Sequence, residues 1–352
     1  MNYDRYIEPF GGAGWVLFHK DPRRDFEVYN DVDGLLVNLY RCVQDKQLLN
    51  QLKEELYYAL NSRQLFEEMV EKLTAVNGGE YDIVLASDYA LNTIREAGLM
   101  QKLDKTIVTN YDNLDTAFLG QYFDPENEYV FPYVCGGPLI IYDPADVDIE
   151  INGFLDLLDP SLEDSVGLID DARVTIGLML RALGYSMNTT DEAQLAEAAA
   201  KLEEIKPNLH ILEYENLHNY LLSDDISVAY TFTPFVALAM VANPDLAIAY
   251  PQEGLGFGVD GCFIPVNAPH AKNANMFIEY MLRPDVGATI TQWQYYCCTN
   301  IPAREILGDW YYGNPVFTGL IERLDDTEII LNLPTEDEQK FQDIWTTFKL
   351  GL

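Results

Sequence analysis

The order of apolar and polar residues predicts strands alternating with helices along most of the chain. Tyr6–Phe10 and Phe26–Tyr29 read as short strands, separated by the turn Gly11-Gly12-Ala13-Gly14 and a helix at Trp15–His19. Asp33–Leu60 carries leucines and tyrosines at helical spacing. Asn61-Ser62 suits the N-cap of a further helix to about Val76, which Asn77-Gly78-Gly79 ends. Tyr81–Ala86 is a nearly continuous apolar run of strand length, the pattern of a strand buried on both faces. Ser87-Asp88 then caps a helix at Tyr89–Glu96, closed by Gly98. Further strands are expected at Val130–Val134, Leu139–Tyr142, Ser165–Leu168, Ile226–Tyr230, Leu246–Tyr250 and Gly261–Val266. Helices are expected at Val174–Leu183, Glu192–Lys206, Pro234–Val241, Asn273–Leu282, Val286–Trp293 and Ile344–Leu350. This alternation predicts an α/β protein with mostly parallel sheets. The polar, proline-containing stretch Gly137–Asp159 suits a crossing between two lobes.

Composition changes the picture in one respect. A hydrophobic fraction of 48% with 22% charged residues is an ordinary globular balance over 352 residues, enough for two domains or lobes. The charge is not ordinary: 57 Asp and Glu stand against 22 Lys and Arg, a formal net charge of −35. Such a field repels nucleic acid and anionic membranes and draws in cations, so no nucleic-acid partner is expected. The five cysteines (Cys42, Cys135, Cys262, Cys297, Cys298) form no CxxC pair, and the four histidines are scattered. Free, buried thiols and no metal site are therefore expected. The start MNYDRYIEPF lacks a basic region followed by an apolar run, and no apolar stretch reaches the roughly 20 residues of a membrane span, so neither an export signal nor a span is expected.

Five blocks carry a family resemblance. They are Tyr81–Asp115 (YDIVLASDYALNTIREAGLMQKLDKTIVTNYDNLD) with Phe123–Tyr133 (FDPENEYVFPY), Asp170–Asp191 (DDARVTIGLMLRALGYSMNTTD), Val259–Ile290, and Tyr296–Arg304 (YCCTNIPAR). In order and spacing they resemble the spermidine/putrescine-binding proteins of bacterial ABC importers, from about Val70 to Leu352. The resemblance implies a two-lobed, periplasmic-binding-protein-like (type II) fold with a ligand cleft between the lobes. It implies lobe 1 at residues 70–135 and 255–300, and lobe 2 at 136–254 and 301–352. The implied function is capture of a small cationic solute, a polyamine, outside the cytoplasm for an ABC transporter permease. No catalytic residue and no cofactor are implied. It places Ser87, Asp88 and Tyr89 in the cleft, Asp171 and Asp260 on the ligand's ammonium groups, Tyr230 as a stacking ring, and Tyr296 as a cleft tyrosine. Carboxylates and aromatic faces are what a flexible organic polycation requires. Three positions depart from the pattern: Val174 stands for an acidic residue, and Gly258 and Cys135 for aromatic ones. Asp171 also suits the N-cap of the following helix, and Tyr89 and Tyr230 suit packing between lobes.

The beginning of the chain is different. Arg5–Lys20 (RYIEPFGGAGWVLFHK), Phe26–Gln44 and Asn61–Met69 resemble DNA adenine methylases of the Dam type. That resemblance implies S-adenosylmethionine contacts at Glu8, Pro9, Phe10, Gly11, Gly12, Gly14 and Asp31. The Asp-Pro-Pro-Tyr motif that would hold a flipped adenine is absent from the chain, so an inactive methylase-like fragment is the alternative reading. Residues 1–69 are expected to supply the first strand–helix–strand unit of lobe 1 as a topological substitute, which right-handed crossover geometry allows.

Overall fold

The computed structural model describes residues 81–351. The methylase-like segment, its S-adenosylmethionine positions Glu8, Pro9, Phe10, Gly11, Gly12, Gly14 and Asp31, and its expected place in lobe 1 lie outside the described residues. In chain order the described strands are β1 (Val84–Ser87), β2 (Met100–Gln101), β3 (Val130–Gly136), β4 (Pro138–Tyr142), β5 (Val166–Leu168) and β6 (Leu209–Leu212). They continue with β7 (Val228–Phe232), β8 (Ala247–Ala249), β9 (Leu255–Pro265), β10 (Cys297–Cys298) and β11 (Thr327–Ile329).

They form two sheets with helices packed around them. The first runs β1-β9-β3-β10, with β2 and β11 also pairing with β9; the second runs β6-β5-β7-β4-β8. The α/β, two-sheet architecture is as expected. The expectation of mostly parallel sheets is corrected among the described strands. Parallel pairing is limited to β5–β6, β5–β7 and β11–β9, and the other six pairs are antiparallel. β9 runs antiparallel to β1, β2 and β3, and β4 to β7 and β8, all of them strands distant in sequence, so no βαβ crossover fixes a parallel direction for these pairs. β11, in a stretch expected to serve the second lobe, adds to the first sheet beside Leu255–Phe257.

β1 is less buried than its apolar run suggests, because Leu85 on its outer face is 36% exposed. β9 is eleven residues long, reaching back to Leu255 through Gly256 and Gly258, which carry no hydrophobic signal. The closing helix spans Thr335–Leu350, far beyond Ile344–Leu350. Its first turns are polar, and only Phe341, Trp345 and Phe348 are buried. Trp345 Nε1 and Lys349 Nζ both reach Asp170 Oδ1, at 3.0 and 2.9 Å, fastening this helix to the end of β5. Cys135, Cys262, Cys297 and Cys298 are buried and free. No helix among the described residues is long and apolar enough to cross a membrane.

The chain passes from the first sheet to the second at Gly136-Gly137, between β3 and β4. A Cβ on Gly137 would stand 2.2 Å from the carbonyl oxygen of Gly256, so only glycine lets this crossing lie against β9. Thr233 ties the crossing down. Its Oγ1 accepts from Gly137 N at 3.0 Å and lies 2.7 Å from Gly137 O. A fixed crossing bordered by two sheets sets where the facing ends of those sheets meet.

Candidate functional site

Residues from both sheets converge beside this crossing. From the first sheet, Ser87 ends β1 opposite Asp260 of β9 in the antiparallel ladder. Asp88 begins the helix Asp88–Glu96 and is only 4% exposed. Its carboxylate accepts from Tyr89 N at 2.8 Å and Val259 N at 3.3 Å. These bonds favour the charged form, but burial outweighs them, and with Asp260 nearby the carboxyl is pushed up to about 7. Burial also raises Asp260, against a hydrogen bond from Ser87.

From the second sheet, Asp171 follows the C-terminal end of β5. Its Oδ1 accepts from Val174 N at 2.9 Å, so it caps the helix Ala172–Ala182 and faces the site at once. Burial raises its carboxyl above the ordinary range. Arg173 lies within electrostatic reach of Asp171. That guanidinium is occupied by Glu338, Asn188 Oδ1 and Leu331 O. Among the described residues no Lys, Arg or His forms an ion pair with Asp88, Asp171 or Asp260.

Two tyrosines lie close to these carboxylates. Tyr89 is half exposed at 50%, and its hydroxyl is raised by burial and then by Asp171, Asp88 and Asp260. It therefore senses carboxylates of both sheets. Tyr296, just before β10, is half-buried against the crossing: a Cβ on Gly136 would meet Tyr296 Cδ1 at 3.1 Å. Burial, with Asp260 and Glu215, pushes its hydroxyl up to about 12.

The arrangement has two anionic poles. Asp88 and Asp260 form one and Asp171 the other; Tyr89 lies within electrostatic reach of all three, and Tyr296 of Asp260. Buried carboxylates without cationic partners are costly unless a cation arrives from outside.

Six of the seven sequence-derived positions, Ser87, Asp88, Tyr89, Asp171, Asp260 and Tyr296, are brought together. Tyr230 is placed otherwise. It is fully buried in the central strand β7, its ring edge-on to Phe154 at 5.6 Å, and its hydroxyl has no hydrogen-bond partner among the described residues. Tyr230 pairs with Leu168, the last residue of β5, and stays inside the sheet where its ring is covered, so stacking on a ligand is not open to it; what remains is its nearness to Asp171. Tyr214 and Phe232 were missed. Tyr214 is raised by burial and then by Asp171, Tyr89, Tyr296 and Asp260. No motif marked it, since β6 and the short helix after it are weakly patterned. At the three departures, Val174 is buried as the first-turn donor to Asp171, Cys135 is buried opposite Cys297, and Gly258 leaves room. A Cβ on Gly258 would lie 3.7 Å from Asp88 Oδ2.

Known proteins resemble this chain over most of its length. The family model of bacterial extracellular solute-binding proteins matches residues 57–306. A second model, the D12 class of N6 adenine-specific DNA methyltransferases, matches residues 1–110. The chain is 34% identical over 242 residues to the spermidine/putrescine-binding periplasmic protein of Salmonella typhimurium, covering 68% of this chain and 70% of that one. It is 25% identical over 304 residues to the putrescine-binding periplasmic protein SpuD of Pseudomonas aeruginosa, covering 81% and 83%. In structure it is similar to the spermidine/putrescine ABC transporter substrate-binding protein PotD of Streptococcus pneumoniae, with a TM-score of 0.74, 27% identity, and 82% and 88% of the two chains covered.

Proposed function

The chain belongs to the bacterial extracellular solute-binding protein family, and from that premise we propose that it captures a small organic dication of the putrescine–spermidine class, outside the cytoplasm, for delivery to an ABC importer. One observation carries the reading: Asp88 with Asp260, and Asp171 on the other sheet, are carboxylates held above their ordinary range by burial, and among the described residues none of the three is ion-paired to Lys, Arg or His. Two ammonium groups joined by methylenes neutralise both poles, and the rings of Tyr89 and Tyr296 face the apolar spacer and the charges. One lobe comprises β1–β3, β9 and β10, and the other β4–β8. Hinge closure about Gly136-Gly137 then brings Asp171 onto a ligand seated at Asp88 and Asp260. The loss of an acid at Val174 and of a ring at Gly258 favours a diamine over a longer polyamine. The permease of the importer is the implied partner.

Methyl transfer is not part of this reading. The chain has no Asp-Pro-Pro-Tyr motif. The described part of the methyltransferase match, residues 81–110, includes β1 and β2, which pair with β9 in the first sheet.

Thermal unfolding with putrescine, cadaverine, spermidine and S-adenosylmethionine, each alone, tests the reading. A bound amine at 100 times its dissociation constant adds about 2.7 kcal/mol of stability, and Asp260→Asn removes that shift. No response to any amine, or an undiminished one in Asp260→Asn, would overturn the assignment.

A further inference from the structure

The second sheet presents three consecutive parallel strands to the site, and only one of their ends was legible in the sequence. β5, β6 and β7 run side by side in the same direction. Ligands of open α/β sheets gather outside the carboxyl ends of such strands. The end of β5 delivers Asp171. The ladder between β5 and β6 continues past both strands: Glu213 N donates to Leu168 O at 3.1 Å, and Asp170 N to Glu213 O at 3.4 Å. The residues that follow this last rung are Asp171 on one strand and Tyr214 on the other. The end of β7 is Phe232, and the rings of Tyr214 and Phe232 lie 5.5 Å apart, tilted by 58°.

The turn carrying Tyr214 is built around one carboxylate. Glu213 Oε1 accepts from Tyr214 N at 3.0 Å, Glu215 N at 3.2 Å and Asn216 Nδ2 at 3.4 Å. Tyr214 is thus held from below by Glu213 and from the side by Phe232. Its electrostatic neighbours come from both sheets: Asp171, Tyr89, Tyr296 and Asp260.

We propose that Tyr214, backed by Phe232, is the aromatic wall of the second lobe that grips the ammonium-bearing chain of the ligand and helps decide which amines are held. The inference rests on the amine-binding reading above. It gives Tyr214 the stacking role that the buried Tyr230 cannot perform. The contact is of the cation–π kind, in which a ring face attracts an alkylammonium and an aliphatic side chain of similar bulk does not.

Titration calorimetry of the full chain with putrescine tests it through Tyr214→Phe, Tyr214→Leu and Tyr214→Ala, with thermal unfolding to verify that each variant is folded. Tyr214→Phe keeps the ring and stays within about threefold of the parent. Tyr214→Leu keeps bulk without a ring face and binds about tenfold more weakly, the size of one ring–cation contact. Tyr214→Ala is weaker still. A leucine variant as tight as phenylalanine overturns the inference, because filling would then be its whole role; so does an alanine variant equal to the parent. A parent chain that binds no amine overturns the functional reading itself, and the inference with it.

Discussion

Lowering the pH from 8.5 to 5.5 weakens diamine binding by about thirtyfold if only the ionised Asp88 accepts the ligand. The carboxyl of Asp88 sits near 7 because burial outweighs its two backbone donors and Asp260 adds to the rise. At pH 5.5, one and a half units below that value, about 3% of Asp88 is ionised; at pH 8.5 about 97% is, a difference of about 2 kcal/mol at 1.36 kcal/mol per unit. The diamine stays doubly charged across this range, since alkylammonium groups titrate near lysine, at about 10.4. The raised carboxyls of Asp171 and Asp260 act in the same direction. The unliganded fold shows the opposite trend. A carboxyl raised in the folded state binds its proton more tightly there than in the unfolded chain. Its stabilising contribution is complete below about 4 and is lost as pH rises through about 7. Calorimetry across this interval, in two buffers of different ionisation enthalpy, measures both affinity and proton release. The expected record is release of up to about one proton per ligand below pH 7, fading above pH 8. Asp88→Asn flattens the curve. Affinity constant within twofold from pH 5.5 to 8.5, with no buffer-dependent heat, would refute the idea that Asp88 stands protonated in the free protein near neutral pH.

Two further outcomes follow from the glycines at the crossing and in β9. Gly137→Ala places a Cβ 2.2 Å from Gly256 O, a clash with backbone that no side-chain rotation relieves, and is expected to cost about 3 kcal/mol in chemical unfolding. An unfolding midpoint equal to the parent's would mean the crossing is less closely packed than described. Gly258→Trp adds a ring beside Asp88 at a position where a Cβ makes only ordinary contacts, at 3.7 Å to Asp88 Oδ2 and 3.9 Å to Gly136 O. It should tighten putrescine binding by about twofold to fivefold in the same calorimetric assay, the range of one exposed cation–π contact; weaker binding would show that the space is needed by the ligand.

The sequence alone determined the α/β class, the strand ends that carry Ser87-Asp88 and Asp171, and the isolated acid Asp260 in an apolar strand. Each of these is local: an apolar run of strand length followed by a polar capping residue is readable without knowing what packs against it. It also marked Asp171 as a ligand candidate or a helix cap, and the structure shows the cap. What the sequence did not contain was direction. Tyr230 and Phe232 lie on one face of β7, yet the first is sealed in the core and the second ends at the site, because burial depends on how far β7 extends beyond its neighbours. Tyr214 follows a four-residue strand with no distinctive pattern, and only the ladder with β5 brings it beside Asp171. The antiparallel pairing of β9 with β1 and β3 was equally hidden, since hydrophobic period reports which face is buried and not which way a neighbour runs. Tertiary structure alone decided that Asp88 and Asp260 of the first sheet and Asp171 of the second come within reach of one tyrosine, Tyr89, because residues so far apart in sequence meet only through the packing of the two sheets at the Gly136-Gly137 crossing.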